Sequence, residues 1–106
     1  MNAKRRIAIF SGNRAEYGLQ FPILKAVSEH PELNYCLLVS GAHLDSNFGL
    51  VLDEIRNDGF CIDAKVELEM RSDVRIATAH AIGEGILSIS KALQQISPDI
   101  FVVYGD

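Results

Sequence analysis

Two kinds of hydrophobic pattern alternate along this chain. Ile7-Ala8-Ile9-Phe10 is a continuous apolar run closed by Ser11-Gly12, and Tyr35-Cys36-Leu37-Leu38-Val39 is another, closed by Ser40-Gly41. Short unbroken runs of this kind are what a strand buried on both faces of a parallel sheet presents. Ile100-Phe101-Val102-Val103-Tyr104 repeats the pattern before Gly105-Asp106. Phe60, Ile62, Ala64 and Val66 instead alternate with Cys61, Asp63, Lys65 and Glu67, so the third strand has period two and belongs nearer a sheet edge.

Between the runs the spacing becomes helical. Leu19, Ile23, Leu24 and Val27 step by one turn, and the spacing predicts a helix from about Leu19, with Pro22 in its first turn, a separate turn before it and Pro31 closing it. Asp45 and Ser46 are N-cap candidates for a second helix carrying Phe48, Val51, Leu52 and Ile55, with Gly59 as its stop. Ser72 and Asp73 can cap a third, whose apolar face reads Ile76, Ala79, Ile82, Ile86, Ile89, Leu93 and Ile96. Gly83 and Gly85 inside it read most simply as close packing on the sheet, with a ligand contact as the alternative. Strands alternating with helices predict right-handed βαβ units and an α/β, Rossmann-like, doubly wound parallel sheet. The strands fall near 6–10, 35–39, 60–66 and 100–104, with the first and fourth adjacent and parallel at the sheet's centre.

A length of 106 residues, 48% hydrophobic, provides for one core and no second domain. The chain stops at the carboxyl end of an apolar strand with no helix to cover it, so the domain is expected to continue past Asp106. The net charge of −4 changes the picture for partners: Lys4-Arg5-Arg6 is the basic cluster, it reads as a solvated strand start, and no nucleic-acid footprint emerges. Cys36 and Cys61 lack metal or redox spacing and read as buried free thiols. The first apolar run is too short for a signal peptide or membrane span, and a reducing cytoplasm fits the cysteine usage.

In open α/β sheets ligands bind beyond the carboxyl ends of the strands. Three loops qualify: 11–18, 40–46 and Gly105-Asp106. The first, Ser11-Gly12-Asn13-Arg14-Ala15-Glu16-Tyr17-Gly18, matches neither the dinucleotide fingerprint nor the phosphate loop, so ordinary NAD or ATP binding is not supported. It does offer a glycine turn, backbone N–H groups near a helix start and the Arg14 guanidinium, a set suited to a diphosphate. Taken alone, Arg14 is as readily a surface arginine, and Glu16 can pair with it or cap the turn. His43 stands in the second loop, where a lone histidine is more often structural than functional. Asp106 follows a buried strand, where a carboxylate can act as acid, base or hydroxyl acceptor.

Together these loops resemble the hydrolysing UDP-N-acetylglucosamine 2-epimerases of sialic and legionaminic acid synthesis. Loop 11–18 is similar to their G-T/S-R-A-E/D-Y motif, Ser40-Gly41-Ala42-His43-Leu44 with Phe48-Gly49 resembles T-G-x-H-L and the F/Y-G after it, and Pro98 to Asp106 resembles P-D-x-x-x-V-x-G-D. The three matches run in order along the whole chain. R-A-E-Y in place of R-P-E points to the hydrolysing branch, and Asn13 stands where the family has a small hydroxyl residue.

The resemblance implies two Rossmann-like domains of glycosyltransferase-B type, with this chain the N-terminal part of the first, residues 1–106, and inactive by itself. It implies UDP-N-acetylglucosamine or a related UDP-sugar as the partner, no cofactor or metal, no nucleic acid or membrane, and a homo-oligomer. Carried over, Arg14 holds the UDP side with Gly12 and Glu16, Asp106 is an acid or base, and His43 lines the substrate cleft. A receiver-type signalling domain shares the alternation but needs an acidic pair after its first strand. A glycosyltransferase of the same architecture and a non-catalytic remnant are the remaining alternatives.

Overall fold

The computed structural model of the protein describes residues 4–12, 14–42, 46–68 and 75–104. Its elements run β1 (Arg5–Ser11), α1 (Arg14–Glu29), β2 (Leu33–Ala42), α2 (Ser46–Asn57), β3 (Ala64–Leu68), α3 (Arg75–Ile96) and β4 (Ile100–Val102). The strands form one parallel sheet in the order β3-β2-β1-β4. This is the α/β, Rossmann-like arrangement the alternation predicts, and strand order reverses between β1 and β4. β1 and β4 are adjacent and parallel as expected, with Ile7, Ala8 and Ile9 opposite Ile100, Phe101 and Val102. β4 forms an edge of this sheet, however, and its centre is β1 with β2. β3 is the other edge, as its period-two pattern indicates.

The core follows from the pleat. Ile7 and Ile9 of β1 and Leu37 and Val39 of β2 share one face and meet Tyr17, Leu24 and Val27 of α1 and Val51 and Ile55 of α2. Ala8 and Leu38, equally inaccessible, point to the opposite face. Right-handed crossovers place α1 and α2 on one face and send α3, which returns from β3 to β4, across the other.

Several sequence expectations need correction. α1 is one continuous helix from Arg14, with Pro22 inside it and no separate turn before it. Pro22 forgoes the bond to the Gly18 carbonyl, a loss of about 3 kcal/mol in a bare helix. The buried anchors Tyr17 and Leu24 on either side hold the helix across it. The buried stripe of α1 is Tyr17, Gln20, Leu24 and Val27, whereas Leu19 and Ile23 face outward. β3 begins at Ala64, because residues 60–63 are tied to β2 by other means. Asp63 N–H donates to the Leu37 carbonyl (2.9 Å) while its carboxylate accepts the Leu37 N–H (2.8 Å). The 60/62 alternation therefore reflects burial of a connector.

α3 also turns differently. Ala81 and Gly85 are its buried positions, while Ala79, Ile82 and Ile86 are exposed. Small residues take these buried positions and Ile82, Ile86 and Leu87 turn outward, while Ile89, Leu93 and Ile96 further along the stripe are half-buried. Gly83 is not a packing contact, since nothing lies within 4 Å of a Cβ built there. Cys36 is half-buried and Cys61 exposed, both as free thiols. β2 runs longer than expected, to Ala42, and β4 is shorter, ending at Val102. The cap candidates Asp45, Ser72 and Asp73 lie outside the described residues.

The stop of α2 is as expected. Gly59 has φ +88°, its N–H reaches the Arg56 carbonyl (3.0 Å), and Phe60 N–H reaches Ile55 (3.2 Å). This double bond, with Phe60 packed in the same core as Ile55, is a Schellman closure. The two glycines of α2 and α3 respond oppositely to alanine. Gly59→Ala is expected to destabilise by about 1–2 kcal/mol through its left-handed backbone alone, whereas Gly83→Ala, exposed in mid-helix with open space around it, stabilises by roughly 0.5–1 kcal/mol. Urea unfolding of the two variants checks both signs.

Candidate functional site

β1 lies between β2 and β4, so the carboxyl ends of all three open at one end of the sheet. Ser11, the last residue of β1, pairs with Val39, and β2 continues beyond it to Ala42. β4 leaves its pairing at Val102, opposite Ile9, and leads to Val103 and Tyr104. Gly12 follows Ser11, and α1 starts at Arg14 with its N-terminus at this end. A helix N-terminus supplies unpaired N–H donors and a partial positive charge. The structure thus joins Gly12 and Glu16 at the helix start, where the backbone of Arg14 begins α1, while His43 and Asp106 lie outside the described residues.

Glu16 realises the capping option that the sequence offers. Its Oε2 accepts the Gly12 N–H at 2.6 Å, reaching back from the third position of α1 over the helix start in the manner of a capping box. The fit is close: a Cβ on Gly12 would lie 2.8 Å from that oxygen. One turn further along α1, the Gln20 Nε2 donates to the Phe10 carbonyl at 2.8 Å. Gln20 is only 4% exposed, and among the described residues its Oε1 has no hydrogen-bond partner. Leaving such an acceptor unmet costs about 1–3 kcal/mol.

Tyr17, the aromatic of the R-A-E-Y motif, belongs to the core. Its hydroxyl donates to Asp58 at 2.6 Å, which ties α1 to the turn closing α2. Edge-to-face contacts continue from Tyr17 to Phe21, Phe60 and Tyr35, with ring centroids 6.2, 5.8 and 5.7 Å apart. Burial first, then the bond to Asp58 and the charges of Asp58 and Glu54, push the Tyr17 phenol well above its ordinary range. It is therefore a neutral strut beneath the loop. Sequence reading missed Gln20 and this role of Tyr17. The available signal was the 17, 20, 24, 27 spacing, which places one amide on an otherwise apolar stripe.

A cleft of about 440 Å³ at the opposite, amino end of the sheet has Lys4, Arg6, Cys36 and Asp63 on its walls. Arg6 is already spent there, its guanidinium donating to the Ile96 carbonyl at 2.7 Å. Burial and then the Asp63 charge push the Cys36 thiol upward, against the opposing pull of Arg6, so it is a poor nucleophile. Among the described residues no group of three or more His, Cys, Asp or Glu is placed to hold a metal ion.

A parallel sheet that reverses order beside a glycine turn and a helix start defines a Rossmann-like α/β domain with its candidate site at the β1 tip. The family model for UDP-N-acetylglucosamine 2-epimerase matches residues 25–106, and the chain belongs to that family. Among curated proteins it is 29% identical over 102 residues to the UDP-N,N'-diacetylbacillosamine 2-epimerase (hydrolyzing) of Legionella pneumophila, covering 96% of this chain and 27% of the relative. It is 30% identical over 104 residues to the GDP/UDP-N,N'-diacetylbacillosamine 2-epimerase (hydrolyzing) of Campylobacter jejuni, covering 98% and 27%. The chain thus spans about a quarter of these relatives' length. The UDP-GlcNAc 2-epimerase of Neisseria meningitidis, solved bound to UDP-GlcNAc, superposes with a TM-score of 0.73 at 18% identity over 95% of this chain and 26% of that one, which establishes a shared fold.

The strut has a measurable alkaline signature. The folded-state pKa of Tyr17 lies above its unfolded value near 10, so the unfolded chain loses this proton first as pH rises. Its contribution is complete below about pH 10 and falls by up to about 1.4 kcal/mol per pH unit above it. Tyr17→Phe is expected to be less stable at pH 7 by about 1 kcal/mol and to show a shallower alkaline loss. Thermal melts from pH 7 to 11 on both proteins test this.

Proposed function

We propose that the protein is a hydrolysing 2-epimerase acting on a UDP-linked 2-acetamido sugar. A base takes the proton at sugar C2 while the C1–O bond breaks and its electron pair leaves with UDP. Water then adds at C1 of the resulting glycal, and a proton returns to C2 on the opposite face. The products are UDP and a free sugar of the N-acetylmannosamine type. The chemistry is redox-neutral and calls for no electron-carrying cofactor.

The observation that carries this reading is family membership joined to the loop at the β1 tip, where the start of α1 presents N–H donors beside Gly12 at the switch point of the sheet. The Legionella and Campylobacter relatives, both named as hydrolysing enzymes, favour that branch. Arg14 is assigned to the diphosphate, Gly12 to close backbone approach and Glu16 to the loop that holds them. Asp106 is assigned as acid or base and His43 to the substrate cleft. On this reading the chain forms the first part of the first of two Rossmann-like domains, with the cleft between them. A homo-oligomeric protein working in the cytoplasm, where UDP-sugars are made, is part of the same proposal. Among the described residues no helix is long and apolar enough to cross a membrane.

The test offers UDP-N-acetylglucosamine and UDP-N,N'-diacetylbacillosamine to the natural protein in ¹⁸O-water. Release of UDP with label at C1 of the free sugar supports the reading, whereas an epimerised sugar still attached to UDP sinks the hydrolytic branch. Arg14→Ala is expected to weaken UDP affinity by roughly 10-fold or more, and Asp106→Asn to spare it while lowering turnover by roughly 10²-fold. Calorimetric UDP titration and turnover assays separate the two roles. If both variants only lower the melting temperature, the residues shape their loops and nothing more.

A further inference from the structure

Glu16 and Gln20 are one helical turn apart on α1 and grip backbone groups on either side of Ser11. The first accepts the Gly12 N–H at 2.6 Å and the second donates to the Phe10 carbonyl at 2.8 Å. Gln20 is a poor choice for stability. It occupies the buried stripe otherwise formed by Tyr17, Leu24 and Val27, is 4% exposed, and leaves its Oε1 without a partner among the described residues. Methionine or leucine fills the same volume with no polar atom to satisfy. What the amide supplies and an aliphatic residue does not is direction: a fixed distance between the helix and the last residues of β1. Polar groups kept at a cost in the core beside a candidate site mark positioning.

We propose that Gln20, acting with Glu16, is a positioning residue that clamps the β1 tip, so that Gly12 and Arg14 meet the nucleotide diphosphate in one geometry. The inference rests on the functional reading above, with α1, which begins at Arg14, as the rigid body and residues 10–12 as the part it holds.

The experiment uses the natural protein with Gln20→Met, Glu16→Ala and Glu16→Gln. Melting temperature, UDP affinity by calorimetry and exchange of the Gly12 amide without nucleotide are measured. Gln20→Met is expected to melt within about 2 °C of the parent yet bind UDP roughly 10-fold more weakly. Glu16→Ala follows it in affinity, while Glu16→Gln, which keeps an acceptor over Gly12, restores most of the loss. Gly12 exchange accelerates by about 10-fold in Gln20→Met and Glu16→Ala. Parent-like UDP affinity in Gln20→Met, or a loss of affinity only in step with a lower melting temperature, overturns the proposal. A parent that does not bind UDP at all defeats the functional reading instead. The exchange data then decide the clamp, and an unchanged Gly12 amide in both variants overturns it.

Discussion

The structure depends on β1 being paired on both edges and covered on both faces. β2 runs beside it from Arg5 to Ser11 and β4 from Ile7 to Ile9. A slip by one residue would exchange Ile7 and Ile9 for Ala8 on the face that α1 and α2 cover and move the larger side chains to the face that α3 crosses, so the register is held by packing as well as by the ladder. The amino end is pinned too. Arg6 N–H donates to the Asp99 carboxylate (2.8 Å), Asp99 N–H returns to the Arg6 carbonyl (2.9 Å), and the Arg6 guanidinium holds the last turn of α3. A strand fixed along its whole length offers its carboxyl tip as a stationary point, and a loop anchored there inherits that rigidity.

Much of this was legible in the sequence because the burial of parallel strands writes itself as unbroken apolar runs. Residues 7–10 and 35–39 announce β1 and β2 directly, and Gly59 announces the end of α2 because only a residue without Cβ sits comfortably at φ +88°. The misreadings share one cause, which is that local periodicity does not say which face meets the sheet. In α1 the pattern offered Leu19 and Ile23, but the sheet takes the stripe that includes Gln20, since the Phe10 carbonyl rewards an amide there. In α3 the aliphatic stripe looked like a core face, but Ala81 and Gly85 approach the sheet. Residues 60–63 alternate like a strand because Phe60 must reach the core, while Asp63 replaces ladder bonds with its own side chain.

The site was legible as a location more than as a set of contacts. Glycine turns after apolar runs mark the carboxyl ends of strands, and strand order then decides which tips are neighbours. For Glu16 the sequence offered pairing and capping, and the 2.6 Å contact with Gly12 N–H shows the capping. Gln20 escaped notice because its partner is a main-chain carbonyl ten residues earlier, which side-chain motifs do not encode. Tyr17 stood inside a functional motif yet serves packing, a reminder that a motif is selected for the shape of its loop as much as for its chemistry.

The two ends of the sheet also differ electrostatically for a reason that precedes any particular residue. When all strands run one way, every helix returns the other way, so helix carboxyl termini gather at the amino ends of the strands and helix N-termini at their carboxyl ends. At the amino end a carbonyl of the last helical turn is met by one of the chain's own cations, as Arg6 donates to Ile96. At the carboxyl end the N–H groups of the β1 tip and the start of α1 are donors, and one of them already attracts the Glu16 carboxylate. A protein with a net charge of −4 can therefore still present an anion-accepting tip. The carboxylate that caps Gly12 is itself an anion held by that field, so the loop is shaped by the charge of the helix start.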